Sequence, residues 1–127
     1  MILSLLFIVG CNTHAQISGS TVYDQLDTYT IKTEGEIPQA SERGLDGKIL
    51  MLESKYCSHC KTAIPILQEI SEENDLDITI LDVSVDEQRA EMEGYGLDII
   101  YTPTLVIDGY AYIGARDKQG YEDILLK

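Results

Sequence analysis

Two of the three cysteines in this 127-residue chain stand three apart, in Tyr56-Cys57-Ser58-His59-Cys60-Lys61. At that spacing both thiols fall on one face of a helical first turn, near enough to close a disulfide. A strand-like apolar run, Lys48 to Glu53, precedes the pair, and a helix-like run follows from Lys61 to about Glu73. Cys57 therefore falls at a helix N-terminus, where unpaired backbone N–H groups and the helix dipole favour negative charge. The thiolate is the nucleophile in disulfide exchange, so this placement predicts a reactive Cys57. His59 stands between the cysteines, where a nearby imidazole adds to that stabilisation.

The elements that must hold the pair follow from pattern and punctuation. Thr28 to Lys32 alternates, with Tyr29 and Ile31 on one face, and reads as a half-buried strand. Pro38 opens a short helical patch through Arg43, which Gly44 and Gly47 end. After the cysteines, Ile64, Leu67 and Ile70 form an apolar stripe. Pro65 removes a backbone donor inside that helix and predicts a kink, and Asn74 marks its stop. Asp77 to Val83 is a second core strand, and Asp86 is expected to N-cap a short helix, Glu87 to Gly94. Tyr101 to Ile107 and Tyr110 to Ile113 flank Asp108-Gly109, a strong hairpin signal. Gly114 ends the hairpin, and Asp117 caps a last helix running out to Lys127. That order implies a parallel strand pair followed by an antiparallel edge.

Over residues 28 to 127 the chain resembles the thioredoxin superfamily. The resemblance rests on Cys57-Ser58-His59-Cys60, on Thr102-Pro103-Thr104 opening a strand, on the Asp108-Gly109 hairpin, and on Gly114 before the last helix. It implies an α/β, three-layer fold with a central mixed sheet and helices on both faces. It further implies a cis Pro103 lying against the cysteines, with substrate docking along Thr102 and Pro103 between Tyr56 and Gly114. The implied activity is thiol–disulfide exchange on protein cysteines, Cys57 attacking, Cys60 resolving and His59 assisting. A redox partner protein would reset the pair, and neither a cofactor nor a metal is expected. The sequence departs from the family in carrying Tyr56 where tryptophan is usual and Met51 where a buried carboxylate is usual, with Glu53 close by. Cys-x-His-Cys resembles periplasmic thiol oxidases, which favours an oxidant. The alternatives are an envelope reductase, a Cu(I) carrier using the same two thiolates with His59, and an adaptor whose cysteines form an inert disulfide.

Composition limits the partners. The chain carries 9 Lys and Arg against 22 Asp and Glu, a formal charge of −13, which argues against nucleic acid, since a phosphate-binding surface needs Lys and Arg. Residues 1–10 form an apolar run too short to span a bilayer but long enough for a signal peptide. It ends in Ile8-Val9-Gly10-Cys11, similar to the lipobox of bacterial lipoproteins, so Cys11 is the expected lipidation site. Residues 11–27 are rich in Ser, Thr, Gln and Asp, the composition of a flexible tether. Together these predict an exported protein whose domain, 28–127, is held at the extracytoplasmic membrane face by a lipid anchor.

Overall fold

The computed structural model describes residues 26–127. The signal segment, Cys11 and most of the expected tether lie outside them. Ten elements follow in chain order: β1 (Tyr29–Ile31), β2 (Gly35–Glu36), β3 (Ile49–Glu53), α1 (Ser58–Asn74), β4 (Ile78–Asp82), α2 (Asp86–Gly94), β5 (Leu97–Ile99), β6 (Thr104–Ile107), β7 (Tyr110–Ile113) and α3 (Lys118–Leu125). Five strands form a mixed sheet in the order β2-β7-β6-β3-β4. Only β3 and β4 run parallel in it, with Met51 opposite Ile80 and Glu53 opposite Asp82. β6 lies antiparallel to β3 on its other side, so the hairpin strand sits inside the sheet and the two-residue β2 forms that edge.

Alternation along β3 explains why both faces need cover. Leu50 and Leu52 point to one side, where they pack with Leu81, Val106, Met92 of α2, and Ile31 and Leu97 of the outer strands. Met51 points to the other, against Ala63, Leu67 and Ile70 of α1 and Tyr121 of α3. Helices therefore lie on both faces of a mixed sheet, as expected. Asp117 accepts the Gly120 N–H at 2.8 Å and caps α3, and Lys118 bridges to Glu69 and Glu73 of α1, each at 2.9 Å. That arrangement pushes the Lys118 pKa up, chiefly through its hydrogen bonds to Glu69 and Glu73. Asp108 and Gly109 take positive φ values of 48° and 82°, the left-handed turn that joins β6 to β7. Among the described residues no helix is long and apolar enough to cross a membrane.

Three local expectations need correction. β1 does not join the main sheet: it pairs in parallel with β5, a strand the pattern did not reveal, in a separate ribbon. Residues 38–44 form successive turns instead of a helix, because Gln39 adopts φ 59° and Arg43 turns its Nε to the Pro38 carbonyl at 2.8 Å. α1 opens directly after Cys57, as the expected place of that cysteine at a helix N-terminus requires, and Pro65 lies inside it on its exposed face. Asp86 is not a cap: Val85 holds that position without a side-chain bond, while Asp86 in the first turn pairs with Arg89 at 2.7 Å.

The 37–45 stretch is held by Arg43, which is 2% exposed although it forms no salt bridge with a described carboxylate. Its guanidinium instead donates to backbone carbonyls: Pro38 at 2.8 Å, Gly96 at 2.7 Å and Asp27 at 3.0 Å. Gly96 is required there twice over. Its φ is 69°, and a Cβ would run into Nη1 of Arg43.

Candidate redox site

Cys57 is the N-cap of α1, extended at φ −96° and ψ 112°, and its Sγ accepts the Cys60 N–H at 3.2 Å. The two cysteines form a disulfide with their Cα atoms 5.3 Å apart. They are not equivalent. Cys60 is fully buried beneath the first turn, whereas Cys57 is half-buried at the surface. Ser54 shapes the approach by accepting the Cys57 N–H on its carbonyl at 2.9 Å and the Tyr56 N–H on its hydroxyl at 3.2 Å. The first turn of α1 carries no acidic side chain, so nothing there opposes negative charge on Cys57.

A second segment closes on the pair from β6. The Thr102–Pro103 peptide bond is cis, and the Thr102 carbonyl oxygen lies 3.5 Å from Cys57 Sγ. Gly114, at φ 97°, donates its N–H to the Pro103 carbonyl at 2.9 Å and ties the end of the hairpin to this loop. Buried Thr104 donates its hydroxyl to the Tyr101 carbonyl at 2.7 Å and fixes the loop from the other side.

Cys57, Cys60, Thr102, Pro103 and Gly114 are thus brought together in one cluster. Tyr56 stands beside it, 81% exposed, with Lys55 Nζ 5.3 Å from its ring centroid. His59 is exposed, and its imidazole makes no hydrogen bond to another described residue. Met51 occupies the apolar interior under α1, and Glu53, further along the same face of β3, is half-buried. Burial first and the neighbouring Asp82 second push the Glu53 pKa up. Asp82 goes the other way, held down mainly by the Ser84 hydroxyl. Among the described residues no group of three or more His, Cys, Asp or Glu side chains could hold a metal ion.

Sequence reasoning passed over Ile100 and Tyr101, which are more than half exposed just before the cis-proline. Tyr101 reads as the start of a strand and the pattern assigns Ile100 no place, whereas β6 begins only at Thr104. A proline two residues after Tyr101 was the available signal, since it removes a ladder donor.

The thioredoxin family model matches residues 46–126 of this chain. A crystal structure of thioredoxin from Aeropyrum pernix is 26% identical, covering 74% of this chain and 93% of that chain, with a TM-score of 0.48. No curated protein matches the sequence.

Proposed function

This chain belongs to the thioredoxin family and is a thiol–disulfide oxidoreductase, and from that premise we propose that it works outside the cytoplasm, anchored through Cys11, as an oxidant of protein thiols. In the forward direction a substrate thiolate attacks Cys57 Sγ and the Cys57–Cys60 bond breaks. Cys60 leaves as a thiolate, and a mixed disulfide joins the substrate to Cys57. A second substrate thiolate then attacks the substrate sulfur and expels Cys57. The substrate has lost two electrons, the protein has gained them, and a partner protein restores the disulfide. Thr102, Pro103, Tyr56 and Gly114 form the docking surface for the substrate backbone.

One observation carries the reading: Cys57 Sγ accepts a backbone N–H at the N-terminus of a 17-residue helix with no acid in its first turn. Each such contact stabilises the Cys57 thiolate, hence the reduced protein, and so makes the disulfide more oxidising. One pKa unit is about 1.4 kcal/mol, or roughly 30 mV for a two-electron couple. The reduction potential tests it. A value above thioredoxin's, about −270 mV, and toward the strong-oxidant end near −120 mV is expected. A value at or below the thioredoxin end would make the protein a reductase. That second reading draws on His59, whose exposed imidazole makes no hydrogen bond to a described residue and so gives the Cys57 sulfur no donor.

The anchor rests on Ile8-Val9-Gly10-Cys11. Cys11→Ser should move the protein from the membrane to the soluble envelope fraction with its exchange activity intact. A parent protein already soluble would remove the anchor from the proposal.

A further inference from the structure

The segments around the redox site carry no acidic residue of their own, and Glu34, whose carboxylate bonds to them, is taken up by the Ile113 N–H at 2.9 Å and by Arg116. None of the chain's 22 Asp and Glu residues falls within 54–68, 99–107 or 109–116, the three segments that meet around Cys57. Four of the five large apolar side chains exposed in the described domain lie there instead: Tyr56 at 81%, Ile100 at 54%, Tyr101 at 53% and Tyr110 at 38%. Two cations flank the disulfide, Lys55 before it and Lys61 after it, both exposed. Neither makes a salt bridge to a described carboxylate, whereas Arg89, Arg116 and Lys118 all do. Asp82, whose charge Lys55 feels, is already held by the Ser84 N–H at 2.9 Å and by the Ser84 hydroxyl.

Resting on the exchange reading above, we infer that this rim selects partner cysteines set in acidic, aromatic-bearing peptide segments, with Lys55 and Lys61 meeting the carboxylates. The argument is one of range. At physiological salt a charge is screened over about 8 Å, so a docked peptide responds to the two lysines beside it more than to the net charge of the body. The acidic body then repels the same peptide everywhere except at the site, which orients its approach. A lysine-rich segment would meet like charge at the disulfide and be drawn to faces that do no chemistry. The exposed rings of Tyr56 and Tyr101 give such a segment apolar surface and a hydrogen-bonding edge.

The test uses the reduced full-length chain and three self-quenched disulfide peptides, identical except for Glu, Gln or Lys on both sides of the reacting cysteine. Cys57 attacks the peptide disulfide, Cys60 releases the peptide thiol, and the protein ends as the disulfide, so each turnover is balanced. The Glu peptide should react about fivefold faster than the Gln peptide at low salt, the Lys peptide slower than both. Rising salt should compress that spread, and a Lys55→Gln/Lys61→Gln variant should bring the Glu-to-Gln ratio near one. Equal rates for the three peptides, or a Lys peptide that leads, would overturn the inference while leaving the exchange reading in place. A preference that survives in the double variant would overturn the assignment to these lysines. No exchange with any peptide would bring down both the inference and the reading beneath it.

Discussion

Arg43 and Cys57 both sit where segments far apart in sequence meet at backbone carbonyls, and the fold treats them in opposite ways. Arg43 is buried, and its guanidinium is matched to carbonyls of Pro38, Gly96 and Asp27. Cys57 is left at the surface, with the Thr102 carbonyl 3.5 Å from its sulfur and exposed apolar side chains around it. The first arrangement leaves little to gain from an incoming molecule. The second leaves surface and bonding capacity for one. Stability and reactivity are thus assigned to different junctions of one small domain.

The sharpest way to break this contrast is at Cys57. Cys57→Ser should abolish exchange while the folded far-UV and thermal signatures persist. Cys60→Ser should instead accumulate a mixed disulfide that mass spectrometry detects, because the resolving thiol is gone. If Cys60→Ser turned over normally, the two cysteines would not have the unequal roles their burial suggests.

At the other junction the loss should be of stability. Arg43→Met takes the guanidinium away from the Pro38, Gly96 and Asp27 carbonyls and should cost about 3–5 kcal/mol in chemical denaturation. Gly96→Ala, which strains a left-handed residue and pushes on Nη1, should cost about 2–3 kcal/mol. Neither change should alter the reactivity of Cys57 at temperatures where the variant is folded. A drop in exchange rate beyond the unfolded fraction would mean the two junctions are coupled.

The local codes of this fold were legible in advance. Cys57-x-x-Cys60, Thr102-Pro103, Asp108-Gly109 and Asp117 each act through their own backbone, and each did what its residue type allows. What sequence did not disclose depends on partners remote in the chain. The β1–β5 ribbon joins residues near 30 to residues near 98, and no alternation in either three-residue strand names the other. Arg43 looked like the end of a helical patch because its carbonyl partners lie as far off as Gly96. Asp86 looked like a cap, but Asp82 binds Ser84, Gln88 returns to the Asp82 N–H at 2.7 Å, and the helix starts a residue early. Around the site, the residue types pointed to Cys57 and Cys60, while exposure of Ile100 and Tyr101 depends on where β6 begins.

The smallest predicted effect sharpens the contrast on the sheet itself, where Glu53 and Asp82 stand opposite each other with shifts of opposite sign. A raised carboxylate pKa means the folded state holds its proton more tightly than the unfolded one, so Glu53 costs stability once pH rises through its range. Glu53→Gln should therefore raise the melting temperature slightly near pH ~7, with the gain vanishing near pH ~3. Asp82, with a lowered pKa, contributes stability that is lost as pH falls through its folded value, so Asp82→Asn should show the reverse sign. Equal melting curves for Glu53→Gln and its parent at both pH values would mean that Glu53 feels neither its burial nor Asp82.

The grip of Arg43 on the Asp27 carbonyl also has a mechanical side. With the protein held at a membrane through residues before Asp27, as proposed, any pull from thermal motion or from a large docked substrate enters the domain at that carbonyl and at β1. The bonds that take the load run from Arg43 to Asp27, Pro38 and Gly96, and across the β1–β5 ladder. They share no residue with the bonds that set Cys57 against Thr102 and Pro103. Tension on the leash is thus borne by a part of the molecule that does no chemistry, and the disulfide is spared the strain of its own tether.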